Sequence, residues 1–286
     1  MGADGRHMIS NLADLVAPLP KAEFLALLRR RRLTLLRGAK GADPAALLNW
    51  ETLRGVIARG ALPPDHLRVM RQSQALAPSF FVTMGKVDLA KLEPLLDKGV
   101  SLILSYIEEF VPSLAALCAR LRAETGELVR MSVVVTTGAG GALSVHYDNE
   151  DIFVLQLEGS KRWLIQGPPV LNPVKTMTVP PLPTGAPIFD EVLSQGDAMV
   201  VPAGNWHRCE NAAERSLHLA VLFEPPNGWL ALKPLVRQLL ADEDFRVPLS
   251  RLESDAALAE TEARLKERLT RMVAELSLRD YLAGGT

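Results

Sequence analysis

The chain has 286 residues, of which 48% are hydrophobic and 23% are charged, and its formal net charge is −1. A chain of this size and composition can bury one sizeable core, with residues to spare for an accessory element. The near-neutral charge excludes strong attraction to nucleic acid, and no apolar run is long enough to span a bilayer, so neither is expected as a partner. The cysteines, Cys118 and Cys209, do not make a disulfide framework, which favours the cytoplasm.

The first part of the chain is predicted to alternate helices with short strands. Residues 1–19 are expected to form an N-terminal segment, and an expression-tag remnant is one interpretation of residues 1–7. Apolar spacing then predicts a strand at 33–36 and helices at 23–32, 88–96 and 111–125. The arginines at 29–32 make too small a patch to indicate nucleic-acid binding, and a solvated helix end is the preferred interpretation.

The middle of the chain is predicted to be rich in strands. Runs of β-branched and aromatic residues predict strands at 131–137, 152–157, 162–166, 198–201 and 217–223. Clusters of glycine and proline separate them, at 138–141, 167–173 and 180–187. The expected fold class is therefore mainly β with flanking helices, in a catalytic domain that covers residues 20–226.

Two histidines and one aspartate make a candidate metal site. In an extended strand, His146 and Asp148 point to the same face, roughly 6.5–7 Å apart, so one ion could bind both. An H-x-D triplet by itself is more often an exposed polar strand or turn than a metal site. A third ligand from a later strand, His207, would complete the two-histidine, one-carboxylate set of a non-haem iron(II) centre and leave coordination positions open.

The segment around His207 strengthens this hypothesis. It matches the second cupin motif, G-x5-P-x-G-x2-H-x3-N, at every fixed position: Gly196, Pro202, Gly204, His207 and Asn211. The first cupin motif, G-x5-H-x-H-x3,4-E-x6-G, is partly present, with Gly140, His146 and Gly159 in place. Asp148 replaces its second histidine and the glutamate is missing, which indicates the H-x-D…H oxygenases and not the three-histidine cupins.

Residues 145–163 resemble the JmjC-type "cupin 4" branch, specifically the ribosomal oxygenases. They contain the H-x-D triplet, an F-x-L-Q-x-x-G hairpin from Phe153 to Gly159, and Lys161-Arg162-Trp163 in place of the family's K/R-R-W. The resemblance covers roughly residues 20–225 and implies a double-stranded β-helix (cupin or jelly-roll, JmjC type). It also implies an iron(II) cofactor, 2-oxoglutarate and O2 as cosubstrates, and hydroxylation of a protein side chain.

The family's functional residues carry over to a short set of positions. His146, Asp148 and His207 match the iron ligands and are the predicted catalytic residues. Lys161 falls where the family places a cation that pairs with the distal carboxylate of 2-oxoglutarate; without the resemblance, an exposed hairpin lysine would be favoured. Ser132 lies where relatives have a polar side chain near the cosubstrate. Where some relatives have a serine, this chain has Leu222.

Two further histidines require interpretation. His218 shares one face of its predicted strand with Ser216, Ala220 and Leu222, and this face is small and polar enough to line the cavity of the barrel. We expect a hydrogen-bonded histidine of the core or of the surroundings of the metal, and not a fourth ligand. His66 follows two prolines and an aspartate, and is predicted to start a helix at the surface.

Residues 227–286 are predicted to be helical. One helix is expected at 229–240, and Ser254 is expected to cap a longer one with a stripe at near-heptad spacing: Leu258, Leu265, Leu269, Met272 and Leu276. The resemblance implies that these helices form a homodimer, although helices packed on their own core would give the same pattern. Ribosomal oxygenases usually continue into a winged-helix domain, for which this chain is too short.

The expected substrate is a protein or peptide side chain, such as an arginine or histidine of a ribosomal protein. Two alternatives stay open, and the missing winged helix favours the first of them. One is the same chemistry on a natural-product peptide or a small molecule. The other is a metal-binding cupin without oxygenase turnover.

Overall fold

The computed structural model describes residues 9–38, 44–138 and 143–283. Two compact units divide the chain, Met1–Glu224 and Pro225–Thr286. Residues 1–7, interpreted above as a tag remnant, and the motif glycine Gly140 lie outside the described residues. No helix in the described ranges is long and apolar enough to cross a membrane.

The first unit is built mainly from strands. They are β1 (Thr34–Leu36), β2 (Leu67–Arg71), β3 (Gln74–Ala75), β4 (Val82–Thr83), β5 (Lys86–Val87), β6 (Ser101–Ser105), β7 (Leu128–Thr137), β8 (Leu143–His146), β9 (Asp151–Glu158), β10 (Ser160–Gln166), β11 (Pro187–Ser194), β12 (Ala198–Val201), β13 (Trp206–Asn211) and β14 (Arg215–Glu224). Its helices are α1 (Leu12–Val16), α2 (Lys21–Arg29), α3 (Pro44–Leu47), α4 (Trp50–Ala58), α5 (Leu89–Leu96) and α6 (Pro112–Thr125). Short 3-10 turns lie at Pro64–His66, Pro78–Phe80 and Ile107–Glu109.

Two antiparallel sheets form the body of this unit. The larger has the strand order β1-β12-β9-β14-β7-β6-β2-β3, and the smaller has the order β11-β10-β13-β8. From β7 to β14 the chain passes back and forth between the two sheets, as in a double-stranded β-helix. The predicted fold class, mainly β with flanking helices around this core, is confirmed.

Strand β9 shows why the sequence folds this way. Its residues are buried on both faces, with only Glu158 at its end partly exposed. Phe153, Leu155 and Leu157 belong to the large core cluster shared with the helices, whereas Ile152 and Val154 pack with residues of the smaller sheet. Because side chains alternate along a strand, a continuous apolar run is required wherever both faces of a sheet are covered.

Helix α2 packs on this core but ends earlier than predicted. Phe24 is fully buried, and its ring meets that of Phe153 edge-on at 5.8 Å. The helix was expected to reach residue 32, but Arg31 has a φ of 51°, in the left-handed region, and α2 stops at Arg29. The predicted solvated arginine run is therefore partly wrong, since the Arg31 guanidinium donates to Ala203 O at 2.5 Å and to Asn172 Oδ1 at 3.1 Å.

Most predicted elements are present with small shifts, and several strands are additional. The predicted strand at 198–201 coincides with β12, and the helix predicted at 88–96 begins after Asp88, whose side chain accepts from Ala90 N. The additional strands are β2 to β6 and β11, whereas β8 and β13 are the strands expected to carry His146 and His207. Strand β11 begins inside the predicted loop at 180–187, and its residues are mostly half-buried or exposed, so it has no apolar run.

The second unit is helical. It contains α7 (Gly228–Ala241), α8 (Asp255–Ala274) and α9 (Leu278–Ala283), with 3-10 turns at Glu243–Arg246 and Leu249–Arg251. The predicted cap is confirmed, because Ser254 Oγ accepts from Ala257 N at 3.2 Å. Of the predicted apolar stripe, Leu276 lies outside α8, which ends at Ala274.

Candidate metal centre

His146, Asp148 and His207 meet at one end of the smaller sheet. His146 is the last residue of β8 and lies directly opposite His207 of β13, with 4.3 Å between the ring centroids. One potential ligand atom from each of the three residues lies within 4.8 Å of the others. The expected single-strand placement is corrected in one respect: β8 ends at His146, so Asp148 lies in the turn before β9. Tyr147 turns away and packs against Trp206.

Backbone carbonyl groups orient both imidazoles. His146 Nδ1 lies 2.8 Å from Ser144 O, and His207 Nδ1 lies 2.9 Å from Asn205 O. A carbonyl oxygen can only accept, so each Nδ1 carries a hydrogen, and in a neutral ring this leaves the lone pair on Nε2. Burial lowers the pKa of His207, against the opposing effect of Asp148, and so favours the neutral imidazole that a metal ligand must be.

The spacing of these atoms fits a metal ion. His207 Nε2 and Asp148 Oδ2 are 3.5 Å apart. Neighbouring ligands of an ion with bonds of about 2.1 Å lie about 3 Å apart, so a small inward movement would close the site around it. Two imidazoles and one carboxylate are the donor set of non-haem iron(II) sites, in which three further positions stay open for exogenous ligands.

A cavity of about 290 Å³ opens beside the three residues. Ser132, Ala220 and Leu222 contribute to its lining, and the contact of Ser132 with a cosubstrate stays a prediction. The carboxyl-terminal half of β14 therefore lines the cavity as its alternation predicted. Leu222, at the position where some relatives have a serine, presents an apolar surface.

Lys161 lies just beyond this lining and is fully buried. Its Nζ donates to Thr136 Oγ1 at 2.8 Å, and no carboxylate of the described residues pairs with it. Burial lowers the pKa of the Lys161 ammonium from 10.5 to about 8. The interpretation of Lys161 as an exposed hairpin lysine is therefore wrong, and the described residues supply no anion for this buried cation.

Arg130 is a cavity residue that the sequence did not reveal. It lines the cavity and forms ion pairs with Glu150, at 3.3 Å, and with Glu224. Burial, followed by the nearby charge of Asp148, raises the pKa of Glu150. Arg130 lies two residues before Ser132 on the same face of β7, so strand alternation from Ser132 would have found it.

The two uncertain histidines have different surroundings from those predicted. His66 ends a 3-10 turn and is half-buried, with its ring 5.3 Å from Tyr106 and 5.6 Å from Phe110, so its assignment to the surface is wrong. His218 is buried and lines the cavity, as predicted, but its Nδ1 has no hydrogen-bond partner among the described residues. The expectation that it is hydrogen-bonded is therefore wrong for this atom.

Gly204 holds the turn that carries Asp148. Its N–H donates to Asp148 O at 2.9 Å, and its φ of +82° is in the region that favours glycine. A Cβ at this position would lie 1.8 Å from Val170 O. The motif glycine is therefore required by a close backbone approach at the metal site.

Gly204→Ala is expected to displace this turn and to weaken metal binding about 10- to 100-fold, as loss of support around a ligand does. Gly196→Ala is the matched control, because Gly196 has a φ of +88° but no atom within 4 Å of an added Cβ. Calorimetric titration with manganese(II) measures both. Equal affinities of the two variants would contradict the role given to Gly204.

A family model described as the JmjC domain matches residues 108–229, which include the whole triad. This part of the chain is therefore similar to JmjC domains. The chain is 32% identical to ribosomal oxygenase 2 of Rattus norvegicus over 124 residues, which make up 43% of this chain and 27% of that protein. It is 28% identical to ribosomal oxygenase 1 of Homo sapiens over 253 residues, 83% of this chain and 39% of that protein. The resemblance to ribosomal oxygenases is confirmed, and the chain spans less than half the length of these curated relatives.

Solved structures agree on the fold of this chain. YcfD, a ribosomal oxygenase from Escherichia coli, is 20% identical to this chain, with a TM-score of 0.58. The superposed region covers 94% of this chain and 68% of YcfD. A structure of YcfD in complex with cobalt and 2-oxoglutarate is 19% identical, with a TM-score of 0.56 and coverage of 90% and 68%. At these identities the likeness concerns the fold, the predicted double-stranded β-helix.

Proposed function

We propose that this chain is an iron(II)- and 2-oxoglutarate-dependent oxygenase that hydroxylates a side chain of a protein or peptide. One observation carries the proposal: two histidines and one carboxylate lie at a cavity, and a fully buried lysine that pairs with no carboxylate of the described residues lies near two lining residues, Cys209 and His218. A metal-binding cupin without turnover has no need of that lysine. A dicarboxylate that binds the metal at one end needs a cation for its other end.

Each residue has a defined part in this reaction. His146, Asp148 and His207 would hold iron(II), which together with 2-oxoglutarate and O2 supplies the oxidant that hydroxylates a C–H bond. Lys161 would hold the distal carboxylate and so fix the orientation of the cosubstrate. Ser132 would contact the cosubstrate from β7. Ile152, Trp163 and Leu222 line the cavity with apolar surface that excludes water from the reacting atoms.

We further propose a ribosomal protein as the substrate and the cytoplasm as the compartment. The similarity to ribosomal oxygenases of rat, human and Escherichia coli supports this substrate class. Succinate formation from 2-oxoglutarate with iron(II), together with mass spectrometry of ribosomal peptides for the gain of one oxygen atom, tests the proposal. If only a small molecule or another peptide stimulates succinate formation, the same chemistry acts on a different substrate. If 2-oxoglutarate is not turned over at all, the proposed oxygenase activity is contradicted.

We also propose that residues 227–286 make a homodimer. Helix α8 leaves large apolar side chains exposed, with 44% of Leu258, 40% of Leu269 and 49% of Val273 accessible. A second copy of the chain would cover these residues and remove apolar surface from water.

Leu269→Glu is expected to convert the dimer to a monomer, because a charge in an apolar interface is costly to bury. Ala274→Glu, exposed on the same helix but about 100° or more around its axis from the three apolar residues, is the control and should leave the dimer intact. Sedimentation equilibrium distinguishes the 31.2 kDa chain from a particle of twice that mass. A wild-type monomer, or dissociation of both variants, would contradict the proposal.

A further inference from the structure

Two buried polar groups without partners lie at the inner end of the cavity. His218 and Trp163 line it from opposite sheets, and each is only 3% exposed. Neither His218 Nδ1 nor Trp163 Nε1 has a hydrogen-bond partner among the described residues. Their rings are 5.4 Å apart and inclined by 64°. Buried polar groups are nearly always hydrogen-bonded, so two unpartnered groups in one cavity wall indicate a polar ligand.

Both groups are suited to donate a hydrogen bond. The indole Nε1–H can only donate. Burial, followed by the nearby charge of Lys161 and the proximity of His207, holds the pKa of His218 well below its usual value, so the ring is neutral and has a single N–H that Nδ1 can carry. Together with the Lys161 ammonium, this part of the cavity wall offers two donors and a cation. Its ligand must therefore bring negative charge and acceptor atoms.

The strand register places these donors between the metal triad and Lys161. Along β10, Ile165 lies opposite His207, Trp163 opposite Cys209, and Lys161 opposite Asn211. The Trp163 ring is 5.6 Å from the His207 ring. The ligand thus extends from the triad past Trp163 and His218 toward Lys161.

We propose that His218 Nδ1, with Trp163 Nε1 beside it, donates a hydrogen bond to the distal carboxylate of 2-oxoglutarate and shares that carboxylate with Lys161. This assignment rests on the proposed function, and it names the groups that make the site selective for a dicarboxylate. Leu222 cannot hydrogen-bond the cosubstrate, and His218, four residues earlier on the same face of β14, supplies a polar group instead.

Binding of two ligands to manganese(II)-loaded protein, measured by calorimetry, tests the proposal. 2-Oxoglutarate has the distal carboxylate, whereas pyruvate keeps the 2-oxo acid and lacks it. His218→Phe keeps an aromatic ring against Trp163 and removes the N–H, and His218→Asn restores an N–H near the position of Nδ1. His66→Phe is the matched control, a half-buried histidine packed on aromatic rings and absent from the cavity lining.

His218→Phe is expected to raise the Kd for 2-oxoglutarate ~10- to 100-fold, the value of one hydrogen bond to a charged acceptor, and to leave the Kd for pyruvate unchanged. His218→Asn should recover part of the loss, and His66→Phe should bind both ligands like the wild type. Unchanged affinity of His218→Phe for 2-oxoglutarate, or an equal loss for both ligands, would overturn the assignment. If the wild type binds no 2-oxoglutarate, the proposed function itself fails and this inference fails with it.

Discussion

Asp148→Ala protein is expected to lose turnover of 2-oxoglutarate by at least about 100-fold, because loss of a ligand should exceed the 10- to 100-fold effect of losing a group that supports one. His146 and His207 alone leave two neutral donors, and the charge that binds a divalent ion most strongly is gone. Metal content per chain should fall in parallel with succinate formation.

Asp190→Ala is the control for this experiment. Asp190 is an exposed carboxylate of β11 that pairs with Arg162, and it is absent from the cavity lining. Its removal should change neither metal content nor succinate formation. Equal succinate production by Asp148→Ala and wild type would overturn the assignment of the metal centre, whatever the metal content.

Lys161→Met is expected to weaken binding of 2-oxoglutarate by two to three orders of magnitude or more, roughly the 3–5 kcal/mol lost when a buried ion pair loses one partner. The same change should stabilise the protein without ligand. The difference between a pKa of 10.5 and about 8, at about 1.4 kcal/mol for each pH unit, amounts to about 3 kcal/mol for burying the charge.

The sign of this effect depends on pH. Below pH 8 the folded and unfolded chains both carry the proton on Lys161, so the folded protein bears the full cost of the buried charge. Between about 8 and 10.5 the folded protein loses this proton first, and its free energy of unfolding should rise with pH. Lys161→Met should be the more stable protein at pH 7 and should lack this rise.

Denaturant unfolding at several pH values, together with calorimetry for 2-oxoglutarate, measures both effects. Arg162→Met is the matched control, since Arg162 is the next residue, exposed and paired with Asp190 on the surface. A Lys161→Met protein that binds 2-oxoglutarate like the wild type would show that the lysine does not hold the cosubstrate. A variant less stable than the wild type at pH 7 would contradict the cost assigned to the buried charge.

The candidate metal centre could be predicted from the sequence because its motif residues form two groups, each of which is close together along the chain. The spacing of Gly196, Pro202, Gly204 and His207 describes a strand, a tight turn and a second strand, and the backbone contacts of Gly204 show why that spacing is needed. His146 and Asp148 are two residues apart, so their proximity needs no knowledge of the tertiary structure.

Features that depend on distant parts of the chain could not be predicted. That no carboxylate of the described residues lies beside Lys161 depends on every strand that packs around it. The ion pairs of Arg130 join residues 20 and 94 positions away. Strand β11 was not predicted because most of its residues are half-buried or exposed, so its sequence has no apolar pattern. Strand β9 was predicted because it is covered on both faces and therefore has a continuous apolar run.

The carbonyl groups of Ser144 and Asn205 have a consequence for variation in this protein. They orient both metal-binding imidazoles, and a carbonyl group is present whatever side chain a residue carries. Substitutions at either position that keep the backbone path therefore leave the ligand geometry unchanged. The side chains of these two residues can therefore vary, in nature or by design, while the groups that orient the imidazoles stay the same.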